Sequence, residues 1–104
     1  MAKENNYWLD SIMGEDYFTY MNRLKWVYEE TKKCVKELMR MRKPKLIEKN
    51  TEFERMLKTL DEYKLRIMSI KRDDERWRDE YDEILRDLDD IGSKIMEYYR
   101  QLAE

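Results

Sequence analysis

Chemistry in this chain has few residues to work with. Among its 104 residues there is no histidine, which removes the commonest general base and the commonest metal ligand. Carboxylate metal sites of the ferritin kind need Glu-x-x-His pairs, so none can be built here. Glu80, Glu83, Asp87 and Asp90 fall at i, i+3, i+7 and i+10 and form a carboxylate stripe on a helix. In the seven-residue frame described below they take flanking or outward positions, where a hard cation lacks the convergent oxygens of a preformed cavity. Cys34 is the only thiol. It sits at an inward helical position with no cation on its face, the setting of a buried, inert sulfur. Glycine-rich phosphate loops, calcium loops and nucleophile-elbow motifs are all absent. The expectation is a protein with no catalytic residue, no cofactor, no metal and no small-molecule substrate.

Charge and aromatic side chains carry more information. The formal net charge is only −2, but residues 21–72 hold sixteen Lys and Arg against eight Asp and Glu, whereas residues 73–104 hold five against twelve. The densest basic run is Lys32, Lys33, Lys36, Arg40, Arg42, Lys43, Lys45 and Lys49, interrupted by Glu37 and Glu48. Such a tip can neutralise phosphates, although no aromatic residue is interleaved for base stacking. The acidic run from Asp73 to Asp90 includes Asp79, Glu83 and Asp90. It is either a solvated helix face or a dock for a basic protein.

Phe18 and Trp26 fall at outward positions eight residues apart, and exposed aromatics of this kind anchor partners. A second reading has residues 5–13 fold back at Gly14 and cover them with Trp8 and Ile12. If they do not fold back, Trp8 and Ile12 belong to a partner-binding face of the helix-in-groove kind.

Positioning all of this is the task of helices. From Phe53 to Leu102 a seven-residue repeat places Phe53, Met56, Leu60, Tyr63, Ile67, Ile70, Trp77, Tyr81, Ile84, Leu88, Ile91, Ile95, Tyr98 and Leu102 on one seam, broken only by Asp74. Steps of three and four keep side chains on one helical face, and a repeat this long favours helix-on-helix packing. Lys71-Arg72 followed by Asp73-Asp74-Glu75 is the charge order of a helix end followed by a helix start, with Asp73 or Asp74 as N-cap. Upstream, Tyr17, Leu24, Thr31 and Leu38 take position a, Tyr20, Val27, Cys34 and Met41 position d, and Met21, Tyr28 and Val35 position e. A face that wide suits a helix touching two neighbours. Pro44 ends that helix. Thr51 with Glu54 reads as a capping box for the next.

A single all-α domain over 1–104 follows: an up-down-up three-helix bundle with a short amphipathic helix over 5–13 and main helices over 15–42, 46–72 and 74–103. The alternative is a helical hairpin whose second arm is one long helix, which must bury its far half in a coiled-coil oligomer. No apolar run approaches the roughly 20 residues of a bilayer span, the N-terminal residues lack a signal-peptide core, and one cysteine excludes a disulfide framework. The expected location is the cytoplasm. The expected role is a non-enzymatic interaction module (a small adaptor, regulator or inhibitor, such as a phage or mobile element encodes) with a protein partner bound through Trp8, Ile12, Phe18, Trp26, Asp79, Glu83 and Asp90. Nucleic-acid binding by the tip from Lys32 to Lys49 and self-assembly as a coiled-coil homo-oligomer are the two alternatives.

Overall fold

The computed structural model describes the backbone of residues 2–103 and the side chains of residues 17–103. The chain is an all-α helical bundle of α1 (Ala2–Met41), α2 (Pro44–Ile47), α3 (Asn50–Ser69) and α4 (Trp77–Ala103). One helix, α1, stands where the sequence suggests a short segment over 5–13, a cap at Gly14 and a second helix over 15–42. A single interior glycine costs a helix only about 1 kcal/mol, too little to break a helix with good formers on both sides.

The first connection is made by three residues with different tasks. Arg42 takes a left-handed conformation at φ 51°, the geometry that commonly closes a helix, though usually with glycine. Lys43 is extended, as the residue before a proline must be. Pro44 then opens α2, where its missing N–H costs nothing. The Lys43 carbonyl accepts from the N–H groups of Leu46 and Ile47, both at 2.9 Å, and Leu46 is buried. The expected capping box is not used. The N-cap of α3 is Lys49, with no side-chain cap, and Thr51 already lies within the helix. Asn50 Nδ2 donates instead to Glu54 Oε1 at 3.2 Å.

Residues 70–76 break the long seam in two and exclude the single long arm. Ile70 is extended and buried, and its carbonyl accepts from Tyr17 Oη at 2.9 Å. Asp74 Oδ1 accepts from the Arg76 N–H at 2.9 Å, so Asp74, the one polar residue on the seam, forms the turn that starts α4. The side-chain contacts set the helix directions. Tyr17 meets Ile70 and Lys32 meets Asp61, so α3 runs antiparallel to α1. Tyr20 stacks on Tyr81 with ring centroids 4.9 Å apart, and Tyr99 Oη donates to Glu37 at 3.4 Å, so α4 runs parallel to it.

Within this frame the seam residues from Phe53 to Tyr98 are buried against α1, apart from the half-buried Tyr63 and Ile91. No second chain is required to cover them. On α1 the fully covered positions are a and e: Leu24, Leu38, Tyr28 and Val35 are buried, with Met21 beside them. The d positions facing α4 are covered less well. Val27 and Cys34 are half-buried and Met41 is exposed. Cys34 is thus not the buried core thiol expected of its position: it is half-buried in an open groove between α1 and α4.

Candidate functional site

Two open grooves run beside α1, and each collects residues of a different kind. On the α4 flank, a groove of about 510 Å³ is lined by Val27, Thr31 and Cys34 from α1 and by Gly92, Ser93 and Met96 from α4. A Cβ placed on Gly92 would meet nothing within 4 Å. The glycine therefore does not serve a close helix approach within this chain, which is the usual reason for tolerating one in a helix. Met96 at the lip is 65% exposed. Cys34 lies in the groove wall, where burial, and then Glu37 and Glu30 nearby, push its thiol pKa up.

Trp26 lines neither groove and stands on the outer face of α1 between them. It lies three residues from Arg23, which meets the Tyr81 hydroxyl of α4, and four from Glu30, which lines the groove on the α4 flank. Neighbours at these spacings share a helical flank. Trp26 is 63% exposed, and no ring or cation packs against it among the described residues. Phe18 is also exposed but faces elsewhere: eight residues turn a helix through two full turns and about 80°. The Arg72 guanidinium lies over its ring at 5.9 Å and Tyr17 meets it edge-on. Phe18 and Trp26 are thus separate points. The backbone of α1 runs on through Gly14, so residues 5–13 do not fold back along it. The side chains of Trp8 and Ile12 lie outside the described residues.

The acidic face disperses. Asp79 is exposed. Glu83 pairs with Arg66 at 3.5 Å. Asp87 accepts from Tyr63 Oη at 2.9 Å, an arrangement that, together with burial, pushes the Tyr63 pKa up to about 12. Asp90 lines an α3/α4 groove beside Lys94 and Arg55. Among the described residues no three carboxylates or thiols converge to hold a metal ion.

On the opposite flank of α1, toward α3, Lys32, Lys33, Lys36 and Arg40 line a second groove of about 510 Å³ with Tyr28 and with Lys64 of α3. Lys32 Nζ donates to Tyr28 Oη and to Asp61, each at 3.4 Å, and the Tyr28 contact helps hold its pKa above the usual lysine value. The remaining members of the basic run, Arg42, Lys43, Lys45 and Lys49, are exposed around the α1–α3 connection. Sequence reading missed Lys64 and the groove at Gly92. It also passed over Leu65 and Met68, each 69% exposed, although both lie off the α3 seam and their outward direction follows from the same repeat. Among the described residues, no helix is long and apolar enough to cross a membrane. Compared with known proteins, the chain matches no family model, no curated protein and no solved structure.

Proposed function

We propose that this chain is a non-enzymatic interaction module, a small cytosolic adaptor, regulator or inhibitor that holds a protein partner on the α1/α4 face. The observation that carries this reading is Trp26, 63% exposed on the outer face of α1 and four residues from Glu30 of the groove that Gly92 lines. A bulky aromatic in water beside a notch of small residues is the arrangement of an interface anchor next to the space for a partner side chain. Gly92 adds to it. Glycine is a poor helix former, and here an added Cβ would meet nothing within 4 Å among the described residues. A partner helix laid along α1 and α4 would reach the backbone of α4 at that point and cover Met96 and Cys34.

The test compares the wild-type chain with Trp26→Ala and Gly92→Leu in affinity capture from the source cells, with nuclease present. A stoichiometric protein held by the wild type and lost with both variants is the expected result. Capture that both variants retain would overturn the assignment of this face.

A further inference from the structure

We propose that the groove between α1 and α3 binds the phosphate backbone of a nucleic acid. This site is a separate proposal from the α1/α4 groove, and Trp26, seven residues from Lys33, stands on the outer face of α1 between the two. Its basis is an imbalance the fold creates. Five cations, Lys32, Lys33, Lys36, Arg40 and Lys64, line the groove with two carboxylates, Glu29 and Glu37. Glu37 also accepts from Tyr99 Oη of α4 at 3.4 Å. The only described ion pair in the groove is the one from Lys32 to Asp61, at 3.4 Å and largely exposed, which is worth little. Folding thus gathers cations from two helices without supplying anions to match them.

Helix capping does not account for the cluster. Cations are favoured near a helix C-terminus, but the effect fades within the last turn. With α1 ending at Met41, it covers Arg40 and leaves Lys32, Lys33 and Lys36 unexplained. Lys32, Lys36 and Arg40 recur every four residues, in a row rising about 6 Å per step. Lys64 stands across the groove from them. Tyr28, the aromatic ring in the groove, is buried at 7% exposure and hydrogen-bonded through its hydroxyl. No aromatic face there is open to stack on a base, so the contact reads phosphates and not sequence. Beyond the groove, Arg42, Lys43 and Lys45 continue the positive surface past the end of α1.

The experiment is fluorescence anisotropy of a labelled mixed-sequence DNA duplex titrated with the full chain over a range of salt. Four neutralised phosphates give a log–log slope of about −3.6, so a fourfold rise in salt weakens binding by roughly 10²-fold. Lys36→Glu with Arg40→Glu is expected to weaken binding at least about tenfold and to cut the slope by about half. A control pair with the same net charge, Lys71→Glu with Lys94→Glu, lies outside the groove and is expected to bind much more tightly than the groove pair. Gly92→Leu, on α4 and outside the basic groove, is expected to bind as the wild type does, so failure here is distinguishable from failure of the α1/α4 assignment. Far-ultraviolet circular dichroism confirms that the variants fold. No binding at low salt, equal loss in both charge-reversal pairs, or a polyglutamate peptide binding as tightly as the duplex would each overturn the proposal; the last would make the groove a dock for an acidic protein.

Discussion

Replacing Gly92 with alanine should stabilise the chain. Gly92 lies well inside α4, with more than ten helical residues on each side. Glycine in such a position costs about 0.5–1 kcal/mol relative to alanine, because the flexible residue loses more conformational freedom on folding. A gain on substitution requires that the new methyl group have room, and at Gly92 an added Cβ meets nothing within 4 Å. The expected change is therefore the full propensity difference, about 0.5–1 kcal/mol, with no clash to offset it. For a chain of this size that raises Tm by about 2–8 °C and moves the urea midpoint upward at unchanged slope. Chemical denaturation followed by circular dichroism measures both. A neutral or destabilised Gly92→Ala variant would show that a neighbour approaches Gly92 more closely than the groove allows, and the account of Gly92 as a space kept open would fail. Gly92→Leu extends the test. Leucine is nearly as good a helix former as alanine, so stability should again exceed wild type, while a side chain now fills the groove and partner capture is lost. A residue that lowers stability in the free chain and is needed for binding is one retained for the partner.

Other substitutions probe the frame that positions the two grooves. Arg42 holds φ 51°, a conformation that costs a non-glycine residue about 1–2 kcal/mol; Arg42→Gly should raise stability by several tenths of a kcal/mol after the flexibility of the unfolded glycine is counted, and a lower melting temperature would refute the strain. Leu88 is fully buried between α1 and α4, so Leu88→Ala should lose about 2–5 kcal/mol, measurable as a large drop in the urea midpoint; a loss below about 1 kcal/mol would mean the core is looser than described. Trp26→Ala should leave stability within about 0.5 kcal/mol of wild type, as exposed substitutions do, and a larger drop in Tm would mean the ring packs on the chain itself. Tyr63 and Tyr98 both have pKa values raised from 10.0 to about 12, chiefly by burial and then by hydrogen bonds to Asp87 and Glu52. The folded state favours their neutral forms, so their contribution is complete below pH 10 and is lost as pH rises from about 10 through 12. Thermal melts across that range should show falling Tm, with a smaller fall in Tyr63→Phe; an identical fall would remove Tyr63 from the account.

Much of the architecture was legible because it depends on apolar spacing. The repeat from Phe53 to Tyr98 places the core residues correctly, and the wide face on α1 anticipates its two neighbours. The break at 70–76 was marked by charge order alone, Lys71-Arg72 before Asp73-Asp74-Glu75. Asp73 or Asp74 was expected as the N-cap, and Asp74 instead forms the turn before α4, accepting from the Arg76 N–H. What failed is equally physical. Gly14 and the Thr51–Glu54 pair are local signals worth about 1 kcal/mol each, and continuation of α1 and the tight turn at Pro44 override them. Cys34 was assigned to the core because a heptad letter gives direction but not coverage. Its exposure is decided by how α4, some sixty residues away in sequence, packs beside it.

The same distinction separates the two candidate surfaces. The basic run from Lys32 to Lys49 is visible in sequence as a count of charges, but a count does not say which charges are neutralised. Folding does: Asp61 comes to Lys32, no described acid pairs with Lys33, Lys36 or Arg40, and Lys64 joins them from α3. The acidic run on α4 shows the opposite outcome, since Glu83 and Asp87 are taken up by Arg66 and Tyr63. Two runs that look equally charged in sequence therefore differ in the structure, one partly satisfied within the bundle and one left largely open. The open one lies on the outer face of α1 toward α3. On the two proposals above, α1 offers its α4 side to a protein and its basic groove to phosphates, with the core positions Leu24, Val35 and Leu38 holding the two in fixed relation.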